Sequence, residues 1–159
     1  MMKRTDRHFR YLLRLISKDI RLFTEMIPAE KIVFGSSDRA LKYSDIEQPV
    51  CLQLGGSNFE ILSRASTRAV ESGYEEINLN CGCPSPQVQK GEFGAKLMLN
   101  PKKANSCVKA MADAVNGAAT ISVKIRLGVD ETYCYQYLKD FCLGLLENGA
   151  SVIYVHARK

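Results

Sequence analysis

The sequence predicts an α/β fold in which parallel strands form part of a (β/α)₈ barrel. Strand-like and helix-like segments alternate along the 159 residues, a pattern that favours a parallel sheet with helical crossovers. Three strands become polar on one face toward their carboxyl ends, whereas a doubly wound sheet is apolar on both faces. No Gly-x-Gly-x-x-Gly motif follows a strand, which argues against a dinucleotide-binding Rossmann domain. The chain is shorter than the roughly 250 residues of a complete barrel.

Composition and charge indicate a globular domain. The 22 Lys and Arg residues exceed the 17 Asp and Glu residues, which gives a formal net charge of +5. The hydrophobic fraction of 46% and the charged fraction of 25% exclude a disordered tail or a collagen-like chain. We expect no membrane span, since no run of about 18 apolar residues occurs. The charged N-terminal segment lacks the apolar core of a signal peptide, so a cytoplasmic location is expected.

The first helix is predicted over residues 7–20, with Thr5 as its N-cap. Its apolar positions recur at helical spacing: Phe9, Leu12, Leu13, Ile16 and Ile20. A basic stripe lies beside them, which we expect to face solvent: Arg7, Arg10, Arg14, Lys18 and Arg21. A short strand follows over residues 22–27.

The remaining elements are predicted from apolar runs and from capping residues. A strand over 50–56 precedes a helix that a capping box at Ser57–Glu60 opens and that Gly73 closes. A strand over 76–80 leads into a long segment, 81–99, and Asn100-Pro101 begins the next helix, which Gly117 ends. A strand over 121–127, a helix over 131–148 closed by Gly149, and a strand over 151–156 complete the alternation.

The six cysteines do not indicate a disulfide framework or a metal site. Without a secretion signal we expect most of them to be reduced, small, buried residues. Cys81-Gly82-Cys83 resembles part of a metal site, but zinc takes about four ligands. The two histidines, His8 and His156, lie far away in the sequence, so we predict no metal.

The long segment after residue 80 holds the candidate catalytic residue, Cys83. Gly82 and Pro84 restrict the backbone on either side of Cys83 and hold its thiol in one direction. A thiol at the mouth of a barrel can act as a nucleophile or as a general acid. A free thiol is mostly protonated at neutral pH, which suits an acid. The alternative is a purely structural cysteine.

Four cationic residues at two later strand ends form a candidate anion or cofactor site. They are Lys124, Arg126, His156 and Arg158. Taken singly, each fits an ordinary solvated or ion-paired strand end, but together they favour a site. The carboxamide of Gln53, at the end of another strand, is suited to hydrogen bonding with a heterocycle.

Several segments together resemble the tRNA-dihydrouridine synthases, with the best match to the bacterial-type A subfamily. The Gly-Cys-Pro triplet at residues 82–84 and the His-Ala-Arg triplet at residues 156–158 are the most specific features. The other matching segments occur in the same order and with similar gaps: residues 5–10, 52–56, 76–81, 88–89, 93–95 and 123–126.

The resemblance implies an FMN-containing TIM (β/α)₈ barrel that reduces the 5,6 double bond of uridine in tRNA, using NADPH. The A subfamily acts on the D-loop at positions 20 and 20a. Reduced flavin delivers a hydride to C6, and the cysteine corresponding to Cys83 protonates C5 from the other side. The family's FMN contacts map to Met1, Met2, Gln53, Lys124 and His156. Its substrate-side positions map to Asn80, Arg126, Arg158 and Lys159.

The sequence also departs from the family pattern. Residues 1–159 match an incomplete FMN-binding barrel that runs from the end of strand 1 to strand 6. The last two strands, which carry the FMN phosphate site, and the C-terminal helical tRNA-binding domain have no counterpart here. Lys96 stands where some relatives have a second cysteine, and we assign it no role. We therefore expect the chain alone to be poorly stable or oligomeric, with weak or no FMN affinity.

Two other functions stay open at the level of sequence. One is a different FMN barrel that acts on a free pyrimidine, although the Gly-Cys-Pro loop argues against it. The other is a non-catalytic remnant that binds RNA through the basic first helix. Salt-sensitive RNA binding without flavin would characterise that remnant.

Overall fold

Five parallel strands form one sheet in the computed structural model, which describes residues 4–35, 40–129 and 134–159. The strands are β1 (Leu22–Pro28), β2 (Val50–Gly55), β3 (Glu76–Asn80), β4 (Thr120–Arg126) and β5 (Val152–His156). Their spatial order is the same as their order in the sequence. A doubly wound sheet reverses its strand order at a switch point, whereas a barrel does not. The predicted partial TIM barrel is therefore confirmed.

Helices connect the strands and precede the first one. They are α1 (Arg7–Ile16), α2 (Ala29–Phe34), α3 (Phe59–Glu71), α4 (Pro86–Lys90), α5 (Ala95–Met98), α6 (Pro101–Val115) and α7 (Tyr135–Glu147). A 3₁₀ turn at Asp45–Glu47 precedes β2. The long segment predicted over 81–99 contains two short helices, α4 and α5. Within the described ranges, no helix has the length and apolar character needed to cross a membrane.

The hydrophobic core lies between the helices and one face of the sheet. Apolar side chains of the three central strands are fully buried there: Leu52, Leu54, Ile77, Leu79, Val123 and Ile125. Burial of each such side chain contributes about 1.5–3 kcal/mol. Because side chains alternate along a strand, the residues between them face the opposite side. That opposite face is polar and carries Gln53, Asn78, Asn80, Ser122 and Lys124.

Two of the predicted helix starts are wrong by one residue. The cap of α1 is Asp6, whose carboxylate accepts a hydrogen bond from Phe9 N at 2.9 Å. The cap of α3 is Asn58, whose carboxamide oxygen accepts from Ile61 N at 3.0 Å. In both segments two adjacent residues are good caps, and sequence alone does not choose between them. Asn100 caps α6 as predicted and accepts from Lys103 N.

The orientation predicted for the first helix is also wrong, and α1 ends at Ile16 rather than at residue 20. Arg10 and Arg14, assigned to a solvated stripe, are only 4% and 6% exposed. Leu12 and Ile16, on the apolar stripe, are 52% and 73% exposed. The helix turns its guanidinium groups inward because backbone carbonyls and the Glu47 carboxylate accept their hydrogen bonds.

Candidate functional site

The segment that carries Cys83 begins where β3 ends, and the side chain of Asn80 organises it. Asn80 Oδ1 accepts hydrogen bonds from Gly82 N at 3.1 Å and from Cys83 N at 2.9 Å. The carbonyl of Cys83 accepts from Ala95 N at 3.0 Å. The backbone around Cys83 is therefore fixed on both sides, while Cys83 itself stays partly exposed.

Arg126, the last residue of β4, ties the Cys83 segment to the end of the chain. Its Nε donates to the Gly82 carbonyl at 2.7 Å, and its Nη1 donates to the Lys159 carbonyl at 2.7 Å. Leu127 N also donates to the Arg158 carbonyl at 3.0 Å. Three of the predicted site residues therefore lie together at the carboxyl ends of β4 and β5.

Gly94 allows the two halves of the Cys83 segment to approach each other. Its φ of +65° lies in a backbone region that residues other than glycine rarely adopt. A Cβ at this position would lie 2.6 Å from the Cys83 carbonyl oxygen and 2.4 Å from Val88 Cγ1. A side chain at residue 94 would therefore push against the backbone that positions the thiol.

Lys124 and His156 also lie at this end of the sheet. Lys124 pairs in register with Asn80, and His156 pairs with Arg126. Burial and the positive charge of Arg126 lower the pKa of Lys124. Partial desolvation and the charges of Lys124, Arg126 and Arg158 lower the pKa of His156. Within the described ranges neither side chain has an acidic partner. The site therefore has a positive potential and an imidazole that is neutral at pH 7.

Gln53, predicted at a strand end, is a buried member of the polar face of the sheet. It lies within β2 and is only 6% exposed. Its Nε2 donates to Asn78 Oδ1 at 2.9 Å, and its Oε1 accepts from Asn80 Nδ2 at 3.0 Å. Each end of its carboxamide keeps one further hydrogen-bonding position. Met1 and Met2, the other two residues assigned to the cofactor, lie outside the described residues.

A second polar cluster, not predicted from the sequence, lies at the opposite, amino-terminal end of the strands. The carboxylate of Glu76 is buried and accepts hydrogen bonds from Ser122 Oγ at 2.6 Å and from Tyr154 Oη at 3.0 Å. Arg21 forms an ion pair with the same carboxylate. Burial, followed by the charge of Glu76, raises the pKa of the Cys51 thiol. The alternation of Glu76, Asn78 and Asn80 along β3 is the sequence signal that this face is polar throughout.

All six cysteines are free. Cys51, Cys81 and Cys107 are buried, and Cys134 is exposed. Burial raises the pKa of Cys81, and it raises the pKa of Cys107 to about 11. Within the residues that the structure describes, no three His, Cys, Asp or Glu side chains are grouped to hold a metal ion.

Comparison with known proteins identifies the family. The family model described as "Dihydrouridine synthase (Dus)" matches residues 1–159. A tRNA-dihydrouridine(20/20a) synthase of Vibrio parahaemolyticus is 45% identical over 160 residues, covering 100% of this chain and 48% of that protein. The synthase of the same name from Escherichia coli O6:H1 is 46% identical over 160 residues, covering 100% and 47%. The chain spans about half the length of the curated relatives that it matches. The chain belongs to the dihydrouridine synthase family.

Proposed function

We propose that this chain supplies the catalytic face of a flavin-dependent tRNA-dihydrouridine synthase. The observation that carries the proposal is the position of Cys83. Asn80 and Arg126 fix its backbone at the end of the sheet where Lys124 and His156 also lie. A restrained thiol at the same end of the sheet as the Lys124 ammonium, which has no acidic partner within the described ranges, suits the protonation of a base next to an anionic cofactor.

The residues present fit FMN chemically. Lys124 offers a positive charge, His156 a neutral imidazole, and Gln53 a donor and an acceptor in one group. These groups suit the polar edge of an isoalloxazine ring, and Met1 and Met2 complete the set that the family resemblance implies. When bound and reduced by NADPH, FMN supplies the hydride that adds to C6 of the base.

Cys83 supplies the proton that completes the reduction. Its Sγ–H is transferred to C5, so the 5,6 double bond gains one hydride and one proton. The resulting thiolate recovers a proton from water, since Cys83 is partly exposed. Restraint by Asn80 and by the Cys83 carbonyl contact keeps the thiol on one side of the base.

We propose tRNA as the substrate and D-loop uridines 20 and 20a as the target positions. Support comes from the curated relatives, whose names specify this reaction. A uridine must leave the RNA stack to reach a site at the end of a barrel. Asn80, Arg126, Arg158 and Lys159 are the residues we assign to the substrate side. We place the reaction in the cytoplasm, where the tRNA is.

The structure weakens the alternative of an RNA-binding remnant. That alternative uses the basic surface of α1, but Arg10 and Arg14 are buried and their guanidinium groups bind protein atoms. A barrel enzyme acting on a free pyrimidine would share the flavin residues. Competition between free uridine and tRNA in the reduction assay separates that alternative from the proposal.

The test begins with a fluorescence titration of FMN into the purified 159-residue chain, followed by NADPH-dependent reduction of uridine in tRNA. Because the family's FMN phosphate site matches no residues of this chain, we expect weak but saturable binding that Lys124→Ala weakens further. Cys83→Ala should leave FMN bound and remove most uridine reduction, whereas Cys134→Ala, at the exposed cysteine, should change neither. Reduction of tRNA by Cys83→Ala at the rate of the unmodified chain would overturn the assignment of Cys83.

A further inference from the structure

A continuous chain of side-chain hydrogen bonds leads away from Cys83 across the polar face of the sheet. It starts at Asn80, whose Oδ1 accepts from Cys83 N at 2.9 Å. Asn80 Nδ2 donates to Gln53 Oε1 at 3.0 Å, and Gln53 Nε2 donates to Asn78 Oδ1 at 2.9 Å. Each carboxamide therefore accepts a hydrogen bond on the side that faces Cys83 and donates one on the opposite side.

The chain ends on a buried carboxylate at the other end of β3. Asn78 Nδ2 donates to Ser122 Oγ at 2.9 Å, and Ser122 Oγ donates to Glu76 Oε1 at 2.6 Å. Gln53, Asn78 and Ser122 are direct register partners across β2, β3 and β4. All the linking side chains are at most 8% exposed, so water does not readily replace their partners.

The direction of this chain is determined independently at its two ends. At one end, the N–H groups of Gly82 and Cys83 can only donate, so Asn80 must present its oxygen to them. At the other end, a carboxylate paired with Arg21 can only accept, and the Ser122 hydroxyl has a single proton to give. Both constraints require the same orientation of the three carboxamides between them.

We propose that Glu76 is a positioning residue for Cys83 and acts through Ser122, Asn78, Gln53 and Asn80. The proposal rests on the function assigned above to Cys83. By holding the Ser122 proton, Glu76 obliges Asn78 to donate to that hydroxyl, and the orientation passes along the chain to Asn80. Asn80 then presents an acceptor to the backbone of Cys83 and keeps the thiol in place. Buried networks of this kind specify one arrangement when every member is satisfied.

Two substitutions break the chain with little change in shape. Ser122→Ala removes the hydroxyl that links Asn78 to Glu76. Asn78→Asp keeps the shape of the side chain but places a second acceptor against Ser122, whose one proton cannot serve two carboxylates. Ser66→Ala is the matched control, since Ser66 is also fully buried and its hydroxyl has no hydrogen-bond partner in the described structure.

The readouts are amide hydrogen exchange at residues 82 and 83 and the rate of Cys83 alkylation by iodoacetamide, resolved by peptide. Neither needs FMN or tRNA, so a failed flavin or tRNA assay does not affect this test. In Ser122→Ala and Asn78→Asp we expect exchange at residues 82 and 83 to rise about tenfold, the loss expected for one buried hydrogen bond. The alkylation rate of Cys83 should change with it, while that of the exposed Cys134 should not.

Ser122→Thr serves as the rescue, because it restores a hydroxyl at the same position. We expect it to return exchange at residues 82 and 83 toward the unmodified rate. If a variant does not fold, Glu76→Gln with the same readouts replaces it. Exchange at residues 82 and 83 that matches the Ser66→Ala control would overturn the proposal. The proposal would also be overturned if amide exchange became equally faster throughout β4, because that result would indicate a general loss of stability.

Discussion

The guanidinium of Arg10 and the carboxylate of Glu47 form an ion pair that is buried on both sides. Arg10 Nε lies 2.5 Å from Glu47 Oε2, and the two side chains are 5% and 2% exposed. Glu47 Oε1 also accepts from Ser44 N at 2.8 Å, and Arg10 Nη1 donates to the Thr5 carbonyl at 2.7 Å. Through these contacts the ion pair holds α1 against the 3₁₀ turn that precedes β2.

Removing one member of this pair should destabilise the chain strongly. Arg10→Ala leaves the Glu47 carboxylate buried without its counter-ion, and we expect a loss of about 3–5 kcal/mol in the free energy of unfolding. Urea unfolding measures that loss. Arg7→Ala, at an exposed position of the same helix, should change stability by less than about 0.5 kcal/mol.

The double variant Arg10→Met, Glu47→Leu provides the second part of this test. Replacing both charges by apolar groups removes the uncompensated charge, so most of the lost stability should return. A double variant as unstable as Arg10→Ala would show that the helix depends on the hydrogen bonds of Arg10 rather than on compensation of charge.

The orientation of α1 shows what sequence periodicity could not predict. Helical spacing correctly indicated two stripes, one apolar and one basic, but not which stripe would face the sheet. Arg10 and Arg14 of the basic stripe face inward because carbonyls at Thr5, Glu47 and Pro49 accept their hydrogen bonds. Those acceptors come from other segments of the chain, so they cannot be read from the helix itself.

The exposed apolar stripe of α1 should contribute little to the stability of the chain. Leu12 and Ile16 are more than half exposed, so the double variant Leu12→Gln, Ile16→Gln should change the free energy of unfolding by less than about 1 kcal/mol. Leu62→Ala, on the buried face of α3, should cost about 2–5 kcal/mol. Urea unfolding of both variants checks this, and similar losses would place the α1 stripe in the core.

Gly94 should be much less tolerant of substitution than Gly117, another glycine with a positive φ. Gly94 and Gly117 have φ values of +65° and +80°, but a Cβ at Gly117 has no neighbour within 4 Å. Both alanine variants incur the cost of placing a side chain at positive φ, about 1–3 kcal/mol. Gly94→Ala also crowds Val88 and the Cys83 carbonyl, and we expect a further 1–3 kcal/mol, roughly. Thermal and urea unfolding compare them.

Equal losses of stability in Gly94→Ala and Gly117→Ala would contradict the close approach of Val88 and the Cys83 carbonyl to residue 94. A second readout is specific to the site, because crowding of the Cys83 carbonyl should alter the alkylation rate of Cys83 in Gly94→Ala. Gly117→Ala, which lies at the distant end of α6, should leave that rate unchanged.

The position of the site residues could be predicted from the sequence, but the hydrogen bonds between them could not. Alternation along β3 and β4 placed Asn78, Asn80 and Ser122 on a polar face, and the structure confirms that face. The ends of parallel strands meet at one edge, so Cys83 and the cations were expected there. The partners of Gln53 and Glu76 depend on register between strands far apart in the sequence, and no local pattern specifies that register.

Tyr154 should make the chain sensitive to alkaline pH. Burial, followed by the carboxylate of Glu76, which accepts its hydrogen bond at 3.0 Å, raises the pKa of Tyr154 to about 12. The folded chain then holds the phenolic proton more tightly than the unfolded chain does. This contribution to stability is complete below about pH 10, the ordinary tyrosine value, and is lost as the pH rises toward 12.

Tyr154→Phe removes the ionisable group and with it this part of the pH dependence. Urea unfolding at pH 8 and at pH 11 should show a smaller loss of stability in Tyr154→Phe than in the unmodified chain. Tyr135→Phe is the control, because the Tyr135 side chain is largely exposed. Absorbance at 295 nm should also show one fewer tyrosinate forming near pH 12 in Tyr154→Phe. If Tyr154→Phe and Tyr135→Phe lost the same stability between pH 8 and pH 11, Glu76 would not hold the Tyr154 proton.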